Sequence, residues 1–154
     1  MTLSCEDIYS SFLGLIDDYN IPHMSKDDAY EYMKECFEKV MSKPKVRKLF
    51  KTITFDSNIL QLDCELKNPI DEESDKSFVS GLFSNGMVVS WLAPRYQADT
   101  LVKQFFGGKE EKFYAQSSHM AELEAMYNNA KKVVDKDYIR DYGYSTLIIK
   151  GGAS

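Results

Sequence analysis

The sequence predicts a mostly α fold: a helical bundle with a long C-terminal helix, a β-hairpin near 50–67 and an extended C-terminal tail. Three observations carry this. Apolar residues recur every three to four positions over most of the chain, the spacing of one helix face. Between Ile53 and Leu66 the apolar period drops to two, the spacing of a half-buried strand. Beyond Asp141 the residues become tyrosine, glycine and a short β-branched run, which no longer fits a helix. With 154 residues, 44 % hydrophobic and 28 % charged, the chain can build one domain with a real core but not two. The division expected is a helical domain over 1–141, carrying the hairpin at 50–67, and a tail over 142–154.

The first helix opens at Ser4, with Asp7 three residues on and a Leu3–Ile8 staple. Ile8, Phe12, Leu15, Ile16 and Tyr19 share its apolar face, and Asn20-Ile21-Pro22 ends it. Ser25 with Asp28 opens a second helix, whose stripe is Ala29, Tyr32, Met33, Cys36, Phe37, Val40 and Met41. Lys43-Pro44 stops it, because the residue before proline is pushed out of the α region. Two helices with a short polar link imply an αα-hairpin.

In the hairpin, Ile53 and Phe55 alternate with threonines, Asp56-Ser57-Asn58 supplies the turn, and Leu60, Leu62, Cys64 and Leu66 alternate with polar residues. An isolated two-stranded hairpin is marginal, so this one must lean on the helices or on a neighbouring subunit. Leu60, Leu62, Cys64 and Leu66 are therefore candidates for a subunit interface.

Asn68 to Asp75 reads as a polar acidic loop. Phe78, Val79, Leu82, Phe83, Met87 and Trp91 then follow at helical spacing. Gly81 and Gly86 each cost about 1 kcal/mol inside a helix and imply that another helix passes close there. Pro94 ends or kinks this element, and Ala98–Phe106 forms a short helix closed by Gly107-Gly108. The longest helix is expected from about Phe113 or Gln116 to about Tyr138.

Net charge is −5 and the pI about 5.1, which offers no basic footprint for coating DNA or RNA. No apolar run approaches the roughly 20 residues of a membrane span. The opening Met-Thr-Leu-Ser-Cys-Glu-Asp carries acid where a signal peptide carries positive charge, so an intracellular, soluble product is expected.

Catalytic signatures are missing from the sequence: it holds no GxSxG, GxxxxGK[ST], HExxH or GxGxxG. Cys5, Cys36 and Cys64 are odd in number and widely spaced, which predicts reduced thiols acting as small hydrophobes. A zinc site would need both His23 and His119 plus a cysteine. The acidic stretch Asp71–Asp75 lacks the alternating ligands and central glycine of an EF-hand, and suits a helix N-terminus. No catalytic residue, metal or cofactor is expected. Ten tyrosines and nine phenylalanines are many for this length, and some must lie outside the core. Tyrosine favours interfaces, although Tyr142 and Tyr144 could equally clamp the last helix.

Three segments in order, Gly86-Met87-Val88-Val89-Ser90-Trp91-Leu92-Ala93-Pro94, Leu101-Val102-Lys103-Gln104-Phe105-Phe106-Gly107-Gly108-Lys109 and Tyr114-Ala115-Gln116-Ser117-Ser118-His119-Met120-Ala121-Glu122-Leu123, carry a resemblance. With the aromatic Asp141-Tyr142-Gly143-Tyr144, and the opening Asp7-Ile8-Tyr9 with Phe12-Leu13, they resemble head–tail connector proteins of tailed phages of Gram-positive hosts, also called adaptor or neck proteins. The resemblance covers roughly residues 78–144. It departs at Gly81 and Gly86, in the hairpin and beyond Tyr144.

The resemblance implies a structural virion protein in the neck, found in the host cytoplasm during assembly. It implies a homo-oligomeric ring, usually of twelve copies, below the portal protein. That ring extends the DNA channel without sequence-specific binding and receives the next neck or tail protein. No membrane is involved. An acidic lining suits a conduit, since it avoids the counterion release that makes proteins grip DNA. The rival expectations are a cytosolic helical interaction or regulatory protein and, behind it, a cysteine enzyme.

The tail is then expected to dock on the portal or an adjacent subunit. Tyr142, Tyr144, Leu147, Ile148 and Ile149 are its candidate contacts, because a free apolar terminus is usually put to use. Thr146–Lys150 could add as a strand to an exposed edge. The alternative is that this segment folds back as a third strand on the 50–67 hairpin.

Overall fold

The computed structural model describes residues 1–16, 26–106 and 124–140; for Lys26, residues 95–106 and Arg140 the description covers the backbone alone. The fold is mostly helical with a small three-stranded antiparallel sheet. Strand β1 is Thr2–Ser4, followed directly by helix α1, Cys5–Leu15. Helix α2 is Lys26–Ser42 and a single turn, α3, is Pro44–Arg47. Strands β2, Phe50–Asp56, and β3, Gln61–Leu66, form the expected hairpin. Helix α4 runs from Glu72 to Phe106. Residues 124–133 are α-helical and widen into a π-helix over Val134–Arg140; together they are α5.

The sheet order is β1-β3-β2, so the third strand is the N-terminal one. Leu3 pairs with Leu62 and Thr2 with Asp63, and the Thr2 hydroxyl donates to the Asp63 carboxylate at 2.6 Å. Met1 is knitted in as well. Its ammonium donates to the Cys64 carbonyl at 2.8 Å, and the Cys64 N–H donates to the Met1 carbonyl at 2.9 Å. The alternative weighed for the tail, a fold-back of Thr146–Lys150 onto the hairpin, lies outside the described residues, as does its docking.

The hairpin turn follows its chemistry. Asp56 accepts the Asn58 N–H at 2.9 Å, an Asx turn, and Leu60 takes a left-handed φ of 50° to re-enter β3. The Leu60 carbonyl then accepts the Cys5 N–H at 2.8 Å. That bond satisfies a donor at the start of α1, where Ser4 is the N-cap residue but makes no side-chain cap.

Phe37 on α2 sits at the centre of the core. Its ring stacks on Phe83 of α4 with centroids 4.6 Å apart, meets Phe55 of β2 at 4.7 Å and takes the edge of Tyr9 of α1 at 6.1 Å. One side chain of α2 thus touches the sheet and two other helices, through ring pairings that aromatics favour. Trp91, Phe12, Ile8, Leu62 and Leu82 are fully buried around it.

The helices depart from expectation in four places. First, α1 and α2 do not make a closely paired αα-hairpin: each packs against α4 far more than against the other, and the ring of Tyr9 is where they meet. Leu15, expected on the buried face of α1, is 51 % exposed. Second, α4 begins inside the stretch read as an acidic loop. The Asp71 carboxylate accepts the Ser74 N–H at 2.7 Å and the Ser74 hydroxyl at 2.9 Å, an N-cap, and Glu72, Glu73 and Asp75 suit the positive helix end. Third, α4 continues through Pro94, so the two helices expected on either side of it are one. Fourth, α4, with 35 residues, is longer than the span expected for the C-terminal helix, of which the structure describes 124–140.

Both glycines of α4 do mark close approaches. A Cβ at Gly81 would lie 2.5 Å from the Tyr138 hydroxyl of α5, and one at Gly86 would lie 2.9 Å from both methyls of Val40 on α2. These notches let the neighbouring helices cross where a side chain would keep them apart.

Candidate assembly surfaces

The hairpin's apolar residues face inward. In β3, Leu62, Cys64 and Leu66 are buried at 0, 3 and 3 % exposure and stand opposite Phe55, Ile53 and Phe50 of β2. Leu60, in the turn, is half-buried and packs on the same core. The chain itself therefore supplies the cover that the sequence reading sought from a neighbouring subunit. Leu62, Cys64 and Leu66 are corrected from interface to core: a side chain already packed inside its own subunit has no surface left to offer another.

The hairpin surface that remains is its polar outer face and its tip. Thr52, Thr54, Asp63 and Glu65 are exposed, with a Lys51–Glu65 ion pair at 3.7 Å. Both members of that pair are well exposed, so it contributes little. Ile59 at the tip is 63 % exposed. Ile59 breaks the alternation that marks its neighbours, so only an apolar residue inside turn chemistry signals it in the sequence. Ile70, just before α4, is also exposed.

β2 is an edge strand, paired among the described residues with β3 alone. Its ladder is irregular between Phe50 and Thr52, and Lys51 stands at that irregularity. A bulge and a lysine are two common devices against unwanted edge pairing.

Tyr142, Tyr144, Leu147, Ile148 and Ile149, the proposed docking contacts, lie outside the described residues, as do His23 and His119. The described end of α5 is anchored by Tyr138. Its ring packs on Phe78 at 5.7 Å, and its hydroxyl lies 3.4 Å from the Asn85 amide nitrogen, which donates to it. The same amide donates to the Gly81 carbonyl at 2.8 Å.

Cys5, Cys36 and Cys64 are all free and buried. Burial pushes the Cys5 thiol up to about 12 and the Cys64 thiol to about 11, so neither forms a thiolate at neutral pH. Among the described residues no group of three His, Cys, Asp or Glu side chains is placed to hold a metal ion, and no helix is long and apolar enough to cross a membrane.

No protein-family model, no curated protein and no solved structure matches this chain.

Proposed function

We propose that this chain is a structural subunit of a tailed-phage neck, a head–tail connector that assembles as a ring below the portal and continues the DNA channel. The observation that supports this most directly is α4. Two of the three segments that resemble connector proteins, 86–94 and 101–109, fall in one unbroken helix, or run at most three residues past its end. At 1.5 Å per residue α4 is about 52 Å long, against about 25 Å for α2 and about 16 Å for α1. Among the described residues α4 is longer than the helices packed on it, and such a length suits a subunit whose helices meet other chains. Two described thiols held as neutral, buried groups favour this role over a cysteine enzyme. Ile59 at the hairpin tip replaces the inward-facing hairpin residues as the subunit contact, and the tail bearing Tyr142, Tyr144, Leu147, Ile148 and Ile149 docks on the portal or a neighbour.

Co-expression with the portal protein of the same genome tests the proposal. The two should co-purify as a particle many times the 17.7 kDa chain mass, with ring-shaped class averages in electron micrographs. A monomer or dimer that stays separate from the portal overturns it and favours a helical regulatory protein.

A further inference from the structure

A chamber of about 430 Å³ opens where the C-terminal end of α2 and the α3 turn meet α4 and α5. Its walls are apolar: Val40, Val46, Val89 and Val134 are buried, and Ile139 is half-buried. Among the described residues its charged groups are exposed and therefore sit at its margin: Lys43, Lys45 and Lys131 against one carboxylate, Asp135. Three cations gather here on a chain whose net charge is −5.

The chamber falls within the roughly 300–1,000 Å³ typical of small-ligand sites, which pair apolar walls with a few polar groups that fix orientation. Desolvation holds the Lys43 ammonium below the usual lysine range; Asp135 opposes this and Lys131 adds to it. An ammonium that has lost part of its water is stabilised by added negative charge, which an incoming anion would supply. A polar anion alone would leave the valine walls uncovered. A neutral hydrocarbon would leave the surplus of positive charge unanswered.

We propose that this chamber binds a small amphiphilic monocarboxylate, with its aliphatic body against Val40, Val89 and Val134 and its carboxylate between Lys43 and Lys131. The site is independent of the assembly role, since none of these residues belongs to the surfaces assigned to it.

The test is a methyl-resolved NMR titration of the full chain with decanoate and, in parallel, with 1-decanol. Decanoate is expected to shift the Val40, Val89 and Val134 methyls saturably, and to bind at least tenfold more tightly than decanol. The double variant Lys43→Glu, Lys131→Glu should lose decanoate affinity tenfold or more while decanol binding holds. Both lysines are exposed, so the fold should survive; Lys43→Gln with Lys131→Gln serves if it does not. The proposal is overturned if decanoate gives no saturable shift, if its shifts cluster elsewhere, if decanol binds equally well or if the variants leave decanoate affinity unchanged. It is also overturned if, without ligand, the valine methyls show cross-peaks to distant residues of this chain, or shifts that depend on protein concentration. Those results would make the chain's own segment or a second copy the occupant.

Discussion

Tyr9 is held by its ring, which packs on Tyr30 and Phe37, while its buried hydroxyl has no hydrogen-bond partner. A buried hydroxyl left unsatisfied costs about 1–3 kcal/mol of desolvation. Tyr9→Phe keeps the ring and removes that cost, so it should leave stability unchanged or raise it by about 1 kcal/mol, read as a denaturation midpoint. A midpoint that falls instead would mean the hydroxyl is bonded in solution. Gly86 works in the opposite sense. Alanine is the better helix former by about 1 kcal/mol, yet its Cβ would sit 2.9 Å from both methyls of Val40, a stiff, buried, β-branched side chain. Gly86→Ala should therefore destabilise by about 1–3 kcal/mol through overpacking. Adding Val40→Ala should cost less than the two single changes summed. Additive costs would remove the contact as the reason for this glycine.

Helix α4 is capped by Asp71, the residue before its first turn. Asp71 accepts from Ser74 twice, and these bonds hold its carboxyl below the ordinary value of 3.8. Asp71→Ala should lower the melting temperature, and Asp71→Asn should recover part of the loss because an amide oxygen can still cap. A depressed carboxylate contributes stability above its ordinary pKa and loses it as pH falls through the folded value. The wild-type advantage over Asp71→Ala should thus fade on acidification below about pH 4. Equal acid profiles for the two proteins would sink this account. Much of this layer was legible in the sequence. Stripes at period 3.6 gave α1, α2 and the middle of α4, and period 2 with Asp-Ser-Asn gave the hairpin. What escaped has physical reasons. β1 is three residues with one buried side chain, too short to show a period. α3 starts on the proline that stops α2, since proline also suits a first helical position. The Asp71 cap looked like a loop because capping residues are loop residues. Alternation in β3 told that Leu62, Cys64 and Leu66 face something apolar, but a period cannot say whether the cover belongs to the same chain.

The whole molecule is joined through Phe37 and closed by buried thiols. Cys5 and Cys64 lie on either side of the junction between α1 and the sheet, and both thiols are raised from an ordinary value of 9.0. A group with a raised folded pKa stabilises below its unfolded value and loses that contribution as pH rises. The unfolded chain ionises near pH 9 while the folded one resists until about 11 for Cys64 and about 12 for Cys5. Stability should consequently decline from about pH 8.5 upward, and Cys64→Ala should flatten the decline over that range. At pH 8 both thiols should react with iodoacetamide only after denaturant is added. Fast labelling of the native protein would contradict the burial.

The bonds between Met1 and Cys64 also set an order of events in time. During synthesis the first strand and the apolar face of α1 leave the ribosome long before their partners exist. Leu62 follows Ile8 by 54 positions, and Trp91 comes later still. At about 5–20 residues per second, Ile8 and Phe12 wait roughly 3–11 s for β3 alone. Strand β1 and the apolar face of α1 are thus made before the segments they pack on and must wait for them.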